Sequence, residues 1–183
     1  TTPGSKRRMY YAPTGSGKTR IQIAVKLELP DLIITSPNDD ILVNHAKLLG
    51  SRVTTKEGME RLGLYTPMRL RNLLLRGEIS KPPYLCIDEA HHHESETYEI
   101  LDALCDECPT IGYTASCFRG SAKATLELRK KWGPPVEIIS MPEAVAAGYM
   151  SFPECSIVPL LDDDVVEVKN GEFVVQSLEK QCV

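Results

Sequence analysis

Residues 12–19 read Ala-Pro-Thr-Gly-Ser-Gly-Lys-Thr, and no other segment restricts the fold of this chain as strongly. Before it lies the apolar run Met9-Tyr10-Tyr11-Ala12, a strand by composition. After it, Lys18 to Leu27 has the pattern of a helix. Small residues allow backbone N–H groups to curl around an oxyanion, and Gly15 and Gly17 supply that freedom within Pro13-Thr14-Gly15-Ser16-Gly17. Lys18 brings a point charge suited to the terminal phosphates of a nucleotide. Thr19 offers a hydroxyl to Mg²⁺, and the helix start contributes its dipole. Ala12 stands where the general pattern has Gly. Strand, phosphate-binding loop and helix in this order open a parallel α/β sheet.

The rest of the chain continues that alternation. Leu32-Ile33-Ile34-Thr35 reads as a second strand. The next helix is expected to take Ser36 as its N-cap and Pro37 at its first position, with Ile41, Leu42, His45, Leu48 and Leu49 recurring at helical spacing. Arg52-Val53-Thr54 reads as a short strand, Pro67 to Leu75 as a helix, and Tyr84 to Ile87 as an apolar strand. A helix around Ile100, Leu101 and Leu104, a strand over Thr110 to Thr114 and a helix over Ala122 to Trp132 follow. Val136 to Ile139 reads as one more strand and Pro142 to Ala147 as a short helix. The expected fold class is therefore α/β, a parallel sheet with helices on both faces, over residues 1–150. From residue 151 the alternation becomes irregular, and Asn170-Gly171 between two β-rich runs signals a hairpin. Residues 151–183 read as an appendage, or a connection toward something further.

Asp88-Glu89 ends the apolar strand Tyr84 to Ile87. Beside a phosphate loop, a carboxylate at the edge of a neighbouring strand is placed to hold Mg²⁺, here Asp88. Glu89 next to it is placed to orient and deprotonate a water. Acidic residues also favour helix starts, and it is the loop at 12–19 that gives this pair its meaning.

Composition narrows the setting. Residues 1–80 hold 13 Lys/Arg against 7 Asp/Glu, and residues 81–183 hold 8 against 18. A basic first half suits an anionic partner such as nucleic acid. No run approaches the ~20 apolar residues of a membrane-spanning helix, so no membrane partner is expected. The six cysteines include Cys105-Asp106-Glu107-Cys108, half the spacing of a zinc site, with no second pair to complete it. Reduced thiols and a cytoplasmic location are expected, with Cys86 a buried small hydrophobe.

Taken together, Ala-Pro-Thr-Gly-Ser-Gly-Lys-Thr and Asp88-Glu89-Ala90-His91 resemble superfamily 2 helicases, the DEAD/DEAH-box-like nucleic-acid motors. Thr35-Ser36-Pro37 resembles that family's backbone-contact motif, and Thr54-Thr55 a later contact segment. Thr114-Ala115-Ser116 is similar to the Ser/Thr-Ala-Thr motif coupling ATP to nucleic acid, with Cys117 where many relatives have Pro. Glu143 to Met150, followed by Pro153, resembles the exit from the first lobe in DNA repair-type members.

The resemblance implies a RecA-like ATP-binding lobe and hydrolysis of ATP with Mg²⁺. The loop residues Pro13 to Thr19 would hold the nucleotide, and Thr19 and Asp88 the metal. Lys18 and Glu89 would be catalytic, with His91, Thr114, Ala115 and Ser116 coupling the site. Ser36, Pro37, Thr54 and Thr55 would meet nucleic acid, DNA ahead of RNA. It further implies a second lobe beyond Val183, because no late segment has the spacing of the family's arginine motif. Two other readings stay open: an ATP-dependent remodelling or annealing factor, and a non-motor phosphate-loop ATPase.

Overall fold

The computed structural model describes residues 6–92, 96–117, 121–151, 168–169 and 172–173. The chain divides into two compact units, Thr1–Ser151 and Phe152–Val183. In the first, six parallel strands form one sheet: β1 (Arg7–Tyr11), β2 (Leu32–Thr35), β3 (Leu64–Tyr65), β4 (Tyr84–Ile87), β5 (Thr110–Thr114) and β6 (Val136–Glu137). Their spatial order is β3-β2-β4-β5-β1-β6, so β5 lies between the strand that enters the phosphate loop and the strand that ends in Asp88. Helices α1 (Lys18–Glu28), α2 (Asp39–Leu48) and α3 (Lys56–Arg61) cover one face, and α4 (Pro67–Leu75), α5 (Glu96–Leu104) and α6 (Ala122–Trp132) cover the other. A seventh helix, α7 (Met141–Ala146), follows β6.

The strands show why both faces need covering. Along β4, Leu85 and Ile87 enter the core under α4, α5 and α6, while Cys86 between them enters the core under α1, α2 and α3. Such strands read as continuous apolar runs, as Tyr84 to Ile87 does. Gly112, in the middle of β5, lets a helix end approach. A Cβ there would stand 2.7 Å from the Ala90 side chain and 2.8 Å from the Trp132 ring. Trp132, the last residue of α6, thereby packs closely against β5. Gly112→Ala is expected to destabilise the domain by about 1–3 kcal/mol through overpacking. A thermal melt of that variant matching the parent would contradict this packing account.

Three expectations are corrected. Arg52-Val53-Thr54 is not a strand: Thr55 caps α3 by accepting from Gly58 N–H, and Val53 folds onto Gly58, where a Cβ would meet its Cγ1. The strand beside β2 is Leu64–Tyr65 instead, pairing with Ile34 and Thr35. Helix α2 begins after Pro37, because the Asn38 side chain accepts from Asp40 N–H and is the N-cap in place of Ser36. The strand after Pro134-Pro135 is limited to Val136–Glu137 at the exposed sheet edge. Elsewhere boundaries agree closely, and Pro67 opens α4 at its first turn as its fixed φ favours.

In the second unit, β7 (Val168–Lys169) and β8 (Glu172–Phe173) pair antiparallel, Val168 opposite Phe173 and Lys169 opposite Glu172. Asn170 and Gly171, the expected hairpin turn, lie between them outside the described residues. The remaining residues of 152–183 lie outside the described set, as do His93 and Pro153. Among the described residues no helix is long and apolar enough to cross a membrane.

Candidate nucleotide site

The loop leaves β1 at Ala12, whose N–H donates to the Thr114 carbonyl of β5 at 3.2 Å. Ser16 closes the turn, its N–H and hydroxyl both donating to Pro13 O, at 3.2 and 2.7 Å. Gly15 and Gly17 adopt φ of +83° and +96°, a region that disfavours side chains. Gly17 caps α1 without a side-chain bond, which leaves first-turn N–H donors to an anion in the loop. The Lys18 ammonium folds back onto the loop's own carbonyls, Ala12 O at 2.9 Å and Pro13 O at 3.1 Å. Burial lowers its pKa, and the carboxylates of Glu89 and Asp88 oppose that shift.

Asp88 and Glu89 follow β4. The Asp88 backbone N–H donates to Thr35 O at 2.8 Å, tying the acidic segment to the end of β2. Its carboxylate is 5% exposed and accepts from Gln22 Nε2 at 2.8 Å and from Ser36 Oγ at 3.2 Å. Glu89 has φ of +49°, a left-handed conformation that costs a non-glycine residue on the order of 1 kcal/mol. Its carboxylate accepts the Ala115 backbone N–H, and burial, then the Asp88 charge, raise its pKa above the usual carboxylate range. A strained, half-buried acid with raised pKa is the kind of group found where proton transfer occurs.

A 3₁₀ turn, Ala90–His92, places His91 beside β5. Its Nδ1 lies 2.8 Å from Thr114 Oγ1 and 3.2 Å from Glu89 Oε2. The Thr114 hydroxyl donates to Ser116 O at 2.9 Å and accepts from Ser116 N–H at 3.1 Å. With that proton committed, His91 Nδ1 is the donor to Thr114. His91 and Ala115 thus contact Glu89 directly, and Thr114 and Ser116 are joined to them through His91.

Thr14, Gly15, Gly17, Lys18, Thr19, Asp88 and Glu89 line one cleft of about 570 Å³, shared with Arg20 and with Asp40, Ile41 and Asn44 of α2. The cleft offers a cation, N–H donors and hard oxygen ligands side by side, a donor set that fits phosphate and Mg²⁺. No group of three or more His, Cys, Asp or Glu among the described residues could hold a metal ion unaided. Of the residues expected to face nucleic acid, Pro37, Thr54 and Thr55 are exposed. Ser36 is fully buried, and its hydroxyl is spent on Asp88. The sequence reading missed Gln22 and His45, which join Asp88 in the core. Their one signal is position, each a polar residue within an apolar helical stripe.

Comparison with solved structures places this architecture. The helicase domain of Pyrococcus furiosus Hef superimposes with a TM-score of 0.60 at 19% identity, over 77% of this chain and 37% of that one. A DEAD box protein from the hyperthermophile Methanococcus jannaschii gives a TM-score of 0.56 at 18% identity, over 77% and 46%. The fold is RecA-like. The UvsW helicase of bacteriophage T4 gives 0.51 at 16% identity, over 74% and 54%. In sequence, a 51.5 kDa protein of Lactococcus phage (isolate 7-9) is 26% identical over 180 residues, which is 93% of this chain and 37% of that protein. No protein-family model matches the chain. The chain thus spans about 37–54% of the length of these proteins to which it is similar.

Proposed function

We propose that this RecA-like lobe binds ATP with Mg²⁺ and serves an ATP-dependent nucleic-acid helicase or translocase, DNA being the first candidate strand. The observation that carries the reading is the convergence of Lys18, Thr19, Asp88 and Glu89 on one cleft. Their segments come from two strands that β5 separates. In this reading Lys18 leaves the carbonyls of Ala12 and Pro13 to meet the β- and γ-phosphates, and the loop from Pro13 to Thr19 wraps them. Thr19 and Asp88 would hold Mg²⁺, which would supply neutralisation of phosphate charge. Glu89 orients the attacking water and takes its proton. His91 and the Thr114-Ala115-Ser116 turn respond to the state of Glu89, because they bond to it and to each other.

Exposed Pro37, Thr54 and Thr55 follow β2 and precede α3, and they are the residues proposed to face the nucleic-acid backbone. The helicases Hef and UvsW support that direction, and the similarity of Glu143 to Met150 to DNA repair-type members favours DNA. A second lobe is proposed because chains of this fold extend well beyond it, as the 37% coverage of Hef and of the phage protein illustrates.

The test is titration of Mg–ADP into the chain by calorimetry. Lys18→Ala removes a charge-assisted contact worth about 1.5–3 kcal/mol, so Kd should rise roughly 10-fold or more. Equal affinity in Lys18→Ala and the parent would remove the nucleotide from this loop.

A further inference from the structure

Asp88 is held by more than its own strand. One helical turn beyond Lys18, Gln22 is fully buried and donates from Nε2 to Asp88 Oδ1. An ionised carboxylate only accepts, so the orientation of the Gln22 amide is fixed and its Oε1 points the other way. There it meets His45 Nε2 at 2.5 Å, while His45 Nδ1 stands 2.7 Å from Ile41 O on its own helix. Both ring nitrogens thus lie within hydrogen-bond distance of an oxygen, one on α1 and one on α2. On the other carboxylate oxygen, Ser36 donates at 3.2 Å.

Gln22, Ser36 and His45 are each fully buried. Apolar side chains would fill that space without the desolvation cost that three polar groups carry. Each polar group here instead bonds along one line that ends on Asp88. The line runs from α2 through α1 to the carboxylate, and Ser36 joins it from the segment between β2 and α2. Partners of this kind orient metal-binding carboxylates, and their loss typically lowers metal affinity roughly 10–100-fold.

We infer that Gln22, Ser36 and His45 are positioning residues that fix the Asp88 carboxylate for Mg²⁺ and tie it to the Thr35-Ser36-Pro37 segment. The inference rests on the nucleotide-binding function proposed above and assigns Ser36 to Asp88 rather than to a nucleic-acid phosphate. It makes the placement of the metal ligand depend on where α2 sits, because His45 bonds both Gln22 and the α2 backbone.

The experiment measures ADP binding to the full chain by calorimetry, in EDTA and across a Mg²⁺ series. Gln22→Met keeps the volume and removes the bonds, and Ser36→Ala removes one hydroxyl. Both should bind ADP in EDTA within about twofold of the parent and lose roughly 10-fold of the Mg²⁺-dependent gain. Ser36→Thr, which keeps the hydroxyl, should recover it. A parallel fall of affinity with and without Mg²⁺ overturns the inference, since a purely structural role acts that way. An unchanged Mg²⁺ gain in folded variants also overturns it and leaves the proposed function standing. If Gln22→Met fails to fold, the Ser36→Ala and Ser36→Thr pair decides. Absence of any Mg²⁺ gain in the parent chain overturns the proposed function and this inference with it.

Discussion

Glu89→Gln should leave Mg–nucleotide binding intact and slow hydrolysis by ~10²-fold or more, the usual contribution of a general base. The substitution keeps size, shape and the acceptor for Ala115 N–H, and removes only the capacity to take a proton. Burial and the Asp88 charge raise the Glu89 pKa, which moves it nearer to the working pH and makes the carboxylate a better base than an exposed one. His91 Nδ1 stands 3.2 Å from its Oε2. Turnover should be measured in a longer protein that carries the proposed second lobe, with binding measured in parallel. Retained turnover would take Glu89 out of the proposed role, whatever the affinity.

The larger effect concerns the lobe by itself. Residues 1–183 should hydrolyse ATP at barely detectable rates and separate no strands. The cations lining the described cleft are Lys18 and Arg20, and both come from the first turn of α1. Charge that develops on the γ-phosphoryl group calls for a cation delivered from elsewhere, and an arginine so placed typically contributes ~10³–10⁵ in rate. A longer protein continuing past Val183 into a second lobe should show turnover stimulated by single-stranded DNA. Both proteins should be compared at one concentration, with and without that DNA. Equal rates would make this a self-sufficient ATPase and bring the non-motor reading forward.

The features legible in the sequence are those with a local physical cause. The glycines at 15 and 17 mark a turn that needs positive φ, and both have it. The apolar run Tyr84 to Ile87 marks a strand covered on both faces, and Pro67 marks the first turn of a helix. Where the cause is distant, the sequence is silent. β3 is two residues long and is a strand only because Ile34 and Thr35 bond to it, so nothing in Leu64-Tyr65 announces it. Ser36 looks like a cap by type, yet Asp88, 52 positions away, claims its hydroxyl. Gln22 reaches that same carboxylate across 66 positions. The left-handed backbone of Glu89 has no residue-type signature either, since a glycine there would lack the carboxylate.

The strand order also governs how the lobe is made. β1 pairs only with β5 and β6, Arg7 lying opposite Thr110 and Tyr11 opposite Glu137. On the ribosome, at about 5–20 residues per second, the hundred or so residues between these partners take on the order of 5–20 s to appear. For that interval Met9-Tyr10-Tyr11 is an unpaired apolar strand whose edges are open to any other chain. Arg7 and Arg8, directly before it, are the charged flanks that keep such a segment from premature association. The phosphate loop is therefore translated well before the strands that hold its own strand in the sheet.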